Sequence, residues 1–386
     1  MGEPLIPGAE IEEAVEWRHH LHANPELAFE EHETADFIAR KLSEWGYSVK
    51  TGYGKTGIVG SLQRGTSSRA VGIRADIDAL PIVEHSGVPY ASRAPGKMHA
   101  CGHDGHVTMA LAAARACSRF SFDGTVHFVF QPAEENEGGG RAMVEDGLFR
   151  DFAMDEIYAM HNWPGLDLGQ CVARDDQMMA AFGTFEIKVR GRGAHGAMPH
   201  EGADPIVAAS QIVAGLQTIA SRNVSPLQSA VVSATQIHGG DAWNVIPEDV
   251  VIRGTTRWFD EDVGRKIAER IGELAASVAA GYGCTAEVDH TARYPATINN
   301  PDCARFVREL GARASGIRVV DALPSMAAED FAFMLREIPG CYFWLGARKE
   351  GTNPGLHSPY FDFNDRLLPL GAGMWVSLVA ELLRVA

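Results

Sequence analysis

Along residues 11–21 (IEEAVEWRHHL) and 34–47 (TADFIARKLSEWGY) apolar positions recur every three to four residues, the spacing of a helix with one buried face. The runs GIVGSL (57–62), AVGIRAD (70–76) and TVHFVFQP (125–132) are short and rich in β-branched and aromatic residues, and read as strands. HVTMALAAARACSRF (106–120) returns to helical spacing. Alternation of this kind predicts an α/β fold, a mostly parallel sheet with helices on both faces.

From about Phe182 the pattern changes. A strand (TFEIKVRG, 184–191) leads to a helix over about 204–222, then to two strands (SAVVSATQI, 229–237, and DVVIRGTTRW, 249–258). A helix over about 261–280 and a strand (CTAEVDH, 284–290) complete a βαββαβ order, the split βαβ or ferredoxin-like pattern. The chain therefore divides into a first domain over 1–181 and 293–386, and an α+β insertion over 182–292. After the insertion, helices are expected over 302–314 and 326–335, then the strand CYFWLG (341–346) and a closing helix, LGAGMWVSLVAELL (370–383).

With 386 residues, two domains are also the default expectation from length. The formal net charge of −16 is spread along the chain, which argues against nucleic acid or anionic lipid as a partner. Neither a secretory leader nor a run of about 18 apolar residues is found, so secretion and membrane spanning are unsupported. Six cysteines scattered without close spacings fit a cytoplasmic chain with buried thiols.

The candidate chemistry follows the predicted strands. Asp76 and Asp78 (RADIDALP) come after AVGIR, and the adjacent Glu134 and Glu135 (QPAEENEGGG) after TVHFVF. His161 (MHNWPG) follows EIYAM, and His357 (GLHSPYF) lies in the loop beyond CYFWLG. The densest stretch, MHACGHDGH (98–106), opens a predicted helix. Taken singly, each has an ordinary reading: a turn former, a solvated glutamate pair, a hydrogen-bonded histidine. Open α/β sheets, however, gather ligands at the carboxyl ends of their strands, and one convergence there explains all five clusters. A Cys/His/Glu set suits zinc or a neighbouring first-row ion. Five candidate donors exceed the three that one catalytic zinc needs, and two ions about 3.5–4 Å apart with a shared ligand accommodate the surplus.

At these residues the sequence resembles the N-acyl-amino-acid amidohydrolases, the hippurate hydrolase and auxin-conjugate hydrolase branch of the dinuclear metallopeptidases. The resemblance runs from RHHLHANPELAFEE to LHSPYFDFND, with MHACGHDGH, QPAEEN, MHNWP, GRGAHGAMPH, NVIP and GLHSPYF in order. It implies Cys101, His103, Glu135, His161 and His357 as ligands of two divalent ions, zinc or manganese, with cobalt or nickel as alternatives, and Cys101 as the bridge. It implies Glu134 as general base and acid, and Asp76 as a residue orienting a ligand. His99 and His106 are expected to be local hydrogen-bonders. The insertion resembles the family's lid and dimerisation domain, so a homodimer is expected. In that domain His195 and Asn244 match residues that polarise the scissile carbonyl. Arg257, in RGTTRWF, is a candidate for the substrate carboxylate, since guanidinium offers a bidentate fork. The sequence departs from many relatives in reading EENEGGG where they place a glycine directly after the glutamate pair. The implied activity is hydrolysis of a small N-acyl amino acid. A dipeptidase or an N-carbamoyl-amino-acid hydrolase on the same fold is the nearer alternative, and a non-catalytic metal-binding protein the more distant one.

Overall fold

The computed structural model describes residue 6, residues 8–135 and residues 137–385. In chain order its main elements are α1 (Gly8–Ala23), α2 (His32–Glu44), β1 (Ser48–Tyr53), β2 (Gly57–Arg64), β3 (Ala70–Asp76), α3 (His103–Cys117), β4 (Gly124–Gln131), α4 (Gly139–Glu145), β5 (Glu156–Trp163) and β6 (Gln170–Val172). There follow β7 (Ala181–Arg190), α5 (Pro205–Thr218), β8 (Ala230–His238), β9 (Asp249–Trp258), α6 (Glu261–Gly281) and β10 (Thr285–Tyr294). The chain closes with α7 (Pro301–Arg313), β11 (Arg318–Val319), α8 (Ala332–Glu337), β12 (Gly340–Gly346) and α9 (Leu368–Leu382). The described residues fall into two compact units, one drawn from the ranges 1–178, 297–323 and 330–386, the other of residues 179–296 and 324–329.

The first unit holds an eight-stranded sheet in the order β1-β2-β4-β3-β5-β12-β6-β11. Its centre, β4-β3-β5-β12, is parallel, while β1 and β2 extend it antiparallel at one side. The central strands are buried on both faces, which is why their sequences are near-continuous apolar runs. Ile73, Phe128 and Phe343 are wholly buried, each adding roughly 1.5–3 kcal/mol by leaving water. Helix α3 is also buried almost throughout; its alanines 110, 112, 113 and 114 allow close packing. The parallel strands leave their carboxyl ends at one edge, where Asp76, Gln131 and His161 sit.

In the second unit four antiparallel strands run in the order β8-β9-β7-β10, the arrangement that the βαββαβ sequence order anticipates. Phe185, Ile187, Val189 and Ile252 form a core with Ile212, Leu216, Ile267 and Ile271 of α5 and α6. Asp204 caps α5 by accepting the Ile206 N–H at 2.8 Å, with Pro205 at the first helical position. The opposite face carries Thr184, Glu186, Lys188 and Arg253, polar residues at the alternate positions of β7 and β9.

The helix expected over 326–335 is much shorter. Only Ala332–Glu337 is helical, because the preceding backbone is used elsewhere. Ser325 and Ala327 carbonyls both accept the Ala180 N–H, at 3.0 and 2.9 Å. Asp330 accepts from Arg74, Gln131 and the Gly140 N–H. Tertiary partners override the helical spacing there.

Candidate active site

The five expected metal ligands arrive from four places in the first unit. Cys101 and His103 flank Gly102, whose φ of +95° turns the chain into α3. A Cβ at residue 102 would lie 2.5 Å from Asn162 Oδ1, so both the turn and the close approach require glycine. His161 lies near the end of β5, Glu135 beyond β4, and His357 in the loop after β12, its amide donating to Ala100 O at 2.8 Å. Donor atoms of Cys101, His103 and His161 lie within 4.8 Å of one another, and so do those of Cys101, Glu135 and His357. The two triads share Cys101. Cys101 Sγ is 3.4 Å from His161 Nε2, and His357 Nε2 is 3.2 Å from Glu135 Oε1. Glu134 joins His103 and Glu135 within the same 4.8 Å limit.

Hydrogen bonds fix which ring nitrogen His161 and His103 present. His161 Nδ1 donates to Asn162 O at 2.7 Å, leaving Nε2 beside Cys101. His103 Nδ1 meets Asp78 O at 2.9 Å and Asp78 Oδ1 at 3.2 Å, leaving Nε2 towards the centre. Such contacts set tautomer and aim in metal-binding histidines. The orienting role expected of Asp76 thus falls to Asp78 for His103; Asp76 Oδ2 is 3.8 Å from His103 Nε2. Asp76 instead bonds His106 Nδ1 at 2.6 Å and accepts from Arg74 at 2.8 Å. His106 is a local hydrogen-bonder as expected, its Nε2 reaching Asn162. His99 is not. Both its ring nitrogens are buried with no hydrogen-bond partner among the described residues, and burial lowers its pKa to about 4. The nearby Asp104 is already engaged by His22 and Arg18.

The electrostatics call for cations. Burial pushes the Cys101 thiol well above its ordinary pKa, and Glu135, Glu134 and Asp76 push it further. Burial and the neighbouring His106 hold His161 well below the ordinary histidine value, so it is a neutral donor. For His103 burial acts downward, but Asp76 and Asp78 outweigh it and raise the pKa to about 10. His103 Nε2 and Glu135 Oε1 are both buried without a hydrogen bond to the described residues. A thiol, unsatisfied imidazole and carboxylate donors, and a surplus of negative charge fit two divalent ions around Cys101.

Beside the start of α3, His22 of α1 bridges Asp104 (Nδ1, 2.8 Å) and Glu84 (Nε2, 3.1 Å). Arg18, His99 and Tyr90 also face it. Burial opposes the His22 charge, but Asp104 and the bonds to Asp104 and Glu84 raise its pKa from 6.5 to about 9. The sign follows from linkage. Below about pH 6.5 folded and unfolded chains both bind this proton, and the full stabilisation is present. Between about 6.5 and 9 only the folded chain keeps it, so stability falls as pH rises, by on the order of 3 kcal/mol in all. Denaturant midpoints at pH 6 and pH 9.5 should show this fall in the native protein, and His22→Gln should flatten it.

His195, Asn244 and Arg257 lie in the second unit. Ala194–His195 pairs with Val245–Ile246, and Gly196 N–H donates to Asn244 O at 2.7 Å. Ala197 N–H donates to His195 Nδ1 at 3.1 Å, so the ring proton sits on Nε2 of this exposed side chain. Arg257 stacks on Phe182 at 4.1 Å and donates to Met326 O at 3.1 Å. Among the described residues it forms no ion pair.

Comparison with known proteins gives the family. Residues 72–381 match Peptidase family M20/M25/M40. The chain belongs to this family. The M20 chain is 38% identical over 369 residues to the hippurate hydrolase of Campylobacter jejuni, covering 95% of this chain and 96% of that one. It is 41% identical over 350 residues to the N-acetyl-L-cysteine deacetylase of Bacillus subtilis, covering 90% and 83%. A solved Bacillus subtilis structure, described as a dinuclear metal-binding peptidase of the M20 family, superposes with a TM-score of 0.85 at 34% identity, covering 98% and 99%. As an M20 member the chain is a metal-dependent hydrolase, and its mixed α/β architecture is that of its structural relatives.

Proposed function

We infer that this protein hydrolyses the amide bond of N-acyl amino acids, releasing a carboxylic acid and a free amino acid. The observation that carries the reading is the pair of donor triads sharing Cys101, with Glu134 beside them and bearing no assigned ligand role. The relatives described as a hippurate hydrolase and an N-acetyl-L-cysteine deacetylase support the acyl amino acid as substrate class.

In this reading Cys101, His103 and His161 would hold one ion, and Cys101, Glu135 and His357 the other. When bound, such ions would supply carbonyl polarisation and a water whose pKa is lowered towards about 7. Glu134 accepts the proton of the attacking water and delivers it to the departing nitrogen. His195 Nε2–H and the Asn244 side chain donate to the carbonyl oxygen as it gains negative charge, where donors act most strongly. Arg257, a half-buried cation without a carboxylate partner among the described residues, receives the substrate's free carboxylate. The mixed sulfur, nitrogen and oxygen set favours zinc; manganese enters by the family resemblance, with cobalt and nickel as alternatives.

The second unit serves as the lid and the dimer contact. Strand β8 is an edge strand among the described residues, with Ile237 exposed, and Trp243 and Val245 are exposed in the same unit. Ile206 and Val207 at the start of α5 are exposed as well. An open strand edge and exposed apolar residues support pairing with a second copy. No helix among the described residues is long and apolar enough to cross a membrane. The six cysteines are all buried as free thiols, which supports a reducing, cytoplasmic setting.

The test is a hydrolysis screen of acetyl-, benzoyl-, carbamoyl- and aminoacyl-amino acids with protein reconstituted by zinc, manganese, cobalt or nickel. Turnover should be confined to, or greatest with, the acyl compounds; a preference for carbamoyl or aminoacyl substrates would overturn the reading. Elemental analysis of active protein should give two ions per chain. A plateau at one ion with full activity would exclude the paired centre.

A further inference from the structure

Glu31 lies outside every cluster considered above, yet its carboxyl group is fully buried beside the loop that carries Glu134 and Glu135. It occupies the N-cap position of α2 without capping it; Glu26 does that, accepting the Glu33 and Thr34 N–H groups at 3.1 and 2.8 Å. Glu31 reaches elsewhere. Its Oε1 accepts the Ala133 N–H at 2.9 Å, and its Oε2 accepts the Thr56 hydroxyl at 2.5 Å. A buried carboxylate is costly unless its oxygens are satisfied, and here both are.

Ala133 has a φ of +52°, a region that a residue with a Cβ rarely adopts. Four non-glycine residues among those described have positive φ: Phe29, Lys55, Ala133 and His357. The first three lie at or next to the segments that Glu31 joins, and the fourth is an expected ligand. Strain of this kind persists only where surroundings enforce it, and it concentrates at functional sites. Around Ala133 the enforcement is visible. Its carbonyl accepts the Gly139 N–H at 2.9 Å, and Asp78 Oδ2 accepts the Glu135 N–H at 2.9 Å. The peptide N–H groups on either side of Glu134 are thus each held by a buried carboxylate, Asp78 on one side and Glu31 on the other. Burial, with Asp78 nearby, lifts the Glu31 pKa to about 7 even though the Thr56 and Ala133 bonds act downward.

We propose that Glu31 is a positioning residue for the catalytic loop: by accepting the Ala133 N–H it holds that peptide left-handed and so aims Glu134 and Glu135. The role rests on the reading of Glu134 as proton carrier and Glu135 as ligand. It predicts dependence on the reach of residue 31 more than on its charge. Glu31→Asp keeps the carboxylate but withdraws it by one methylene, whereas Glu31→Gln keeps the reach and an acceptor oxygen.

The experiment compares both variants with native protein, each also with Ala133→Gly, which removes the steric cost of positive φ. Glu31→Asp is expected to lower kcat by roughly 10–100-fold, since small misplacements of catalytic groups have effects of that size. KM should change little. In equilibrium dialysis with manganese, the weaker of the two ions should bind about 10-fold less tightly. Glu31→Gln should stay within about threefold of native on both measures, because the acceptor is retained. Ala133→Gly should recover most of the loss in Glu31→Asp, a rescue that a merely structural role would not give. The proposal is overturned by a Glu31→Asp variant that behaves as native, by Gln as damaging as Asp, or by no recovery with Ala133→Gly. If Glu31→Asp alone does not fold, the double variant should; a double variant that also fails overturns it equally. Dialysis needs no substrate, so a native protein that binds two manganese ions without hydrolysing acyl amino acids would sink the functional reading separately.

Discussion

Glu134→Gln is expected to lower turnover by about 10²–10⁴-fold while leaving both ions bound. The substitution is nearly isosteric and removes the negative charge together with the ability to take up and release a proton. Glu134 is buried, with its carboxylate within 4.8 Å of donor atoms of His103 and Glu135. Glu135→Gln should behave differently. It removes a charged donor from the triad of Cys101 and His357, so metal affinity should fall by at least about tenfold, and activity should return at higher metal concentration. Adjacent side chains make this a sharp comparison, since size, burial and sequence context are closely matched. Metal content and kcat measured on both variants at saturating metal decide it. Swapped phenotypes, with Glu134→Gln losing metal and Glu135→Gln losing only turnover, would reverse the two roles.

Much of the fold was legible because its elements have strong periods. The apolar runs of β3, β4 and β12 and the helical spacing of α1, α2 and α3 need no tertiary information to be read. The convergence of Cys101, His103, Glu135, His161 and His357 was legible for a related reason: strand ends in a parallel sheet share an edge, so residues distant in sequence meet there. Aim was not legible. Asp76 and Asp78 leave the same strand two residues apart, and only the continuing chain decides between them. There Ala79 N–H donates to Glu26 O and Leu80 pairs with Met98, which places Asp78 against His103 Nδ1. Glu31 was hidden for the same reason, since its partner Ala133 lies 102 residues away and its sequence neighbours look like an ordinary helix start. The 326–335 segment shows the converse. Its spacing is helical, but Asp330 is drawn to Arg74, Gln131 and Gly140, and long-range bonds win over local propensity.

Mixing two inactive variants, Glu134→Gln and His195→Ala, is expected to restore activity. The expectation joins the proposed dimer to the proposed role of His195; His195 belongs to the second unit and Cys101 to the first. In a symmetric pair each second unit can serve its partner's centre, and closure over the substrate would exclude water there. If His195 acts across the dimer, a mixed dimer places both lesions in one site and leaves the other intact. Random exchange at equal concentrations makes half of the dimers mixed, each with one working site, so activity should rise to about a quarter of the native level. Each parent alone should remain lower by about 10²-fold or more, as the loss of a proton carrier or an oxyanion donor implies. If His195 acts within its own chain, every site keeps one lesion and mixing changes nothing. Differently tagged chains, purified in sequence, verify that mixed dimers form. Mixed dimers without recovered turnover would confine His195 to its own chain, and an active enzyme that sediments as a monomer would exclude the shared site as well.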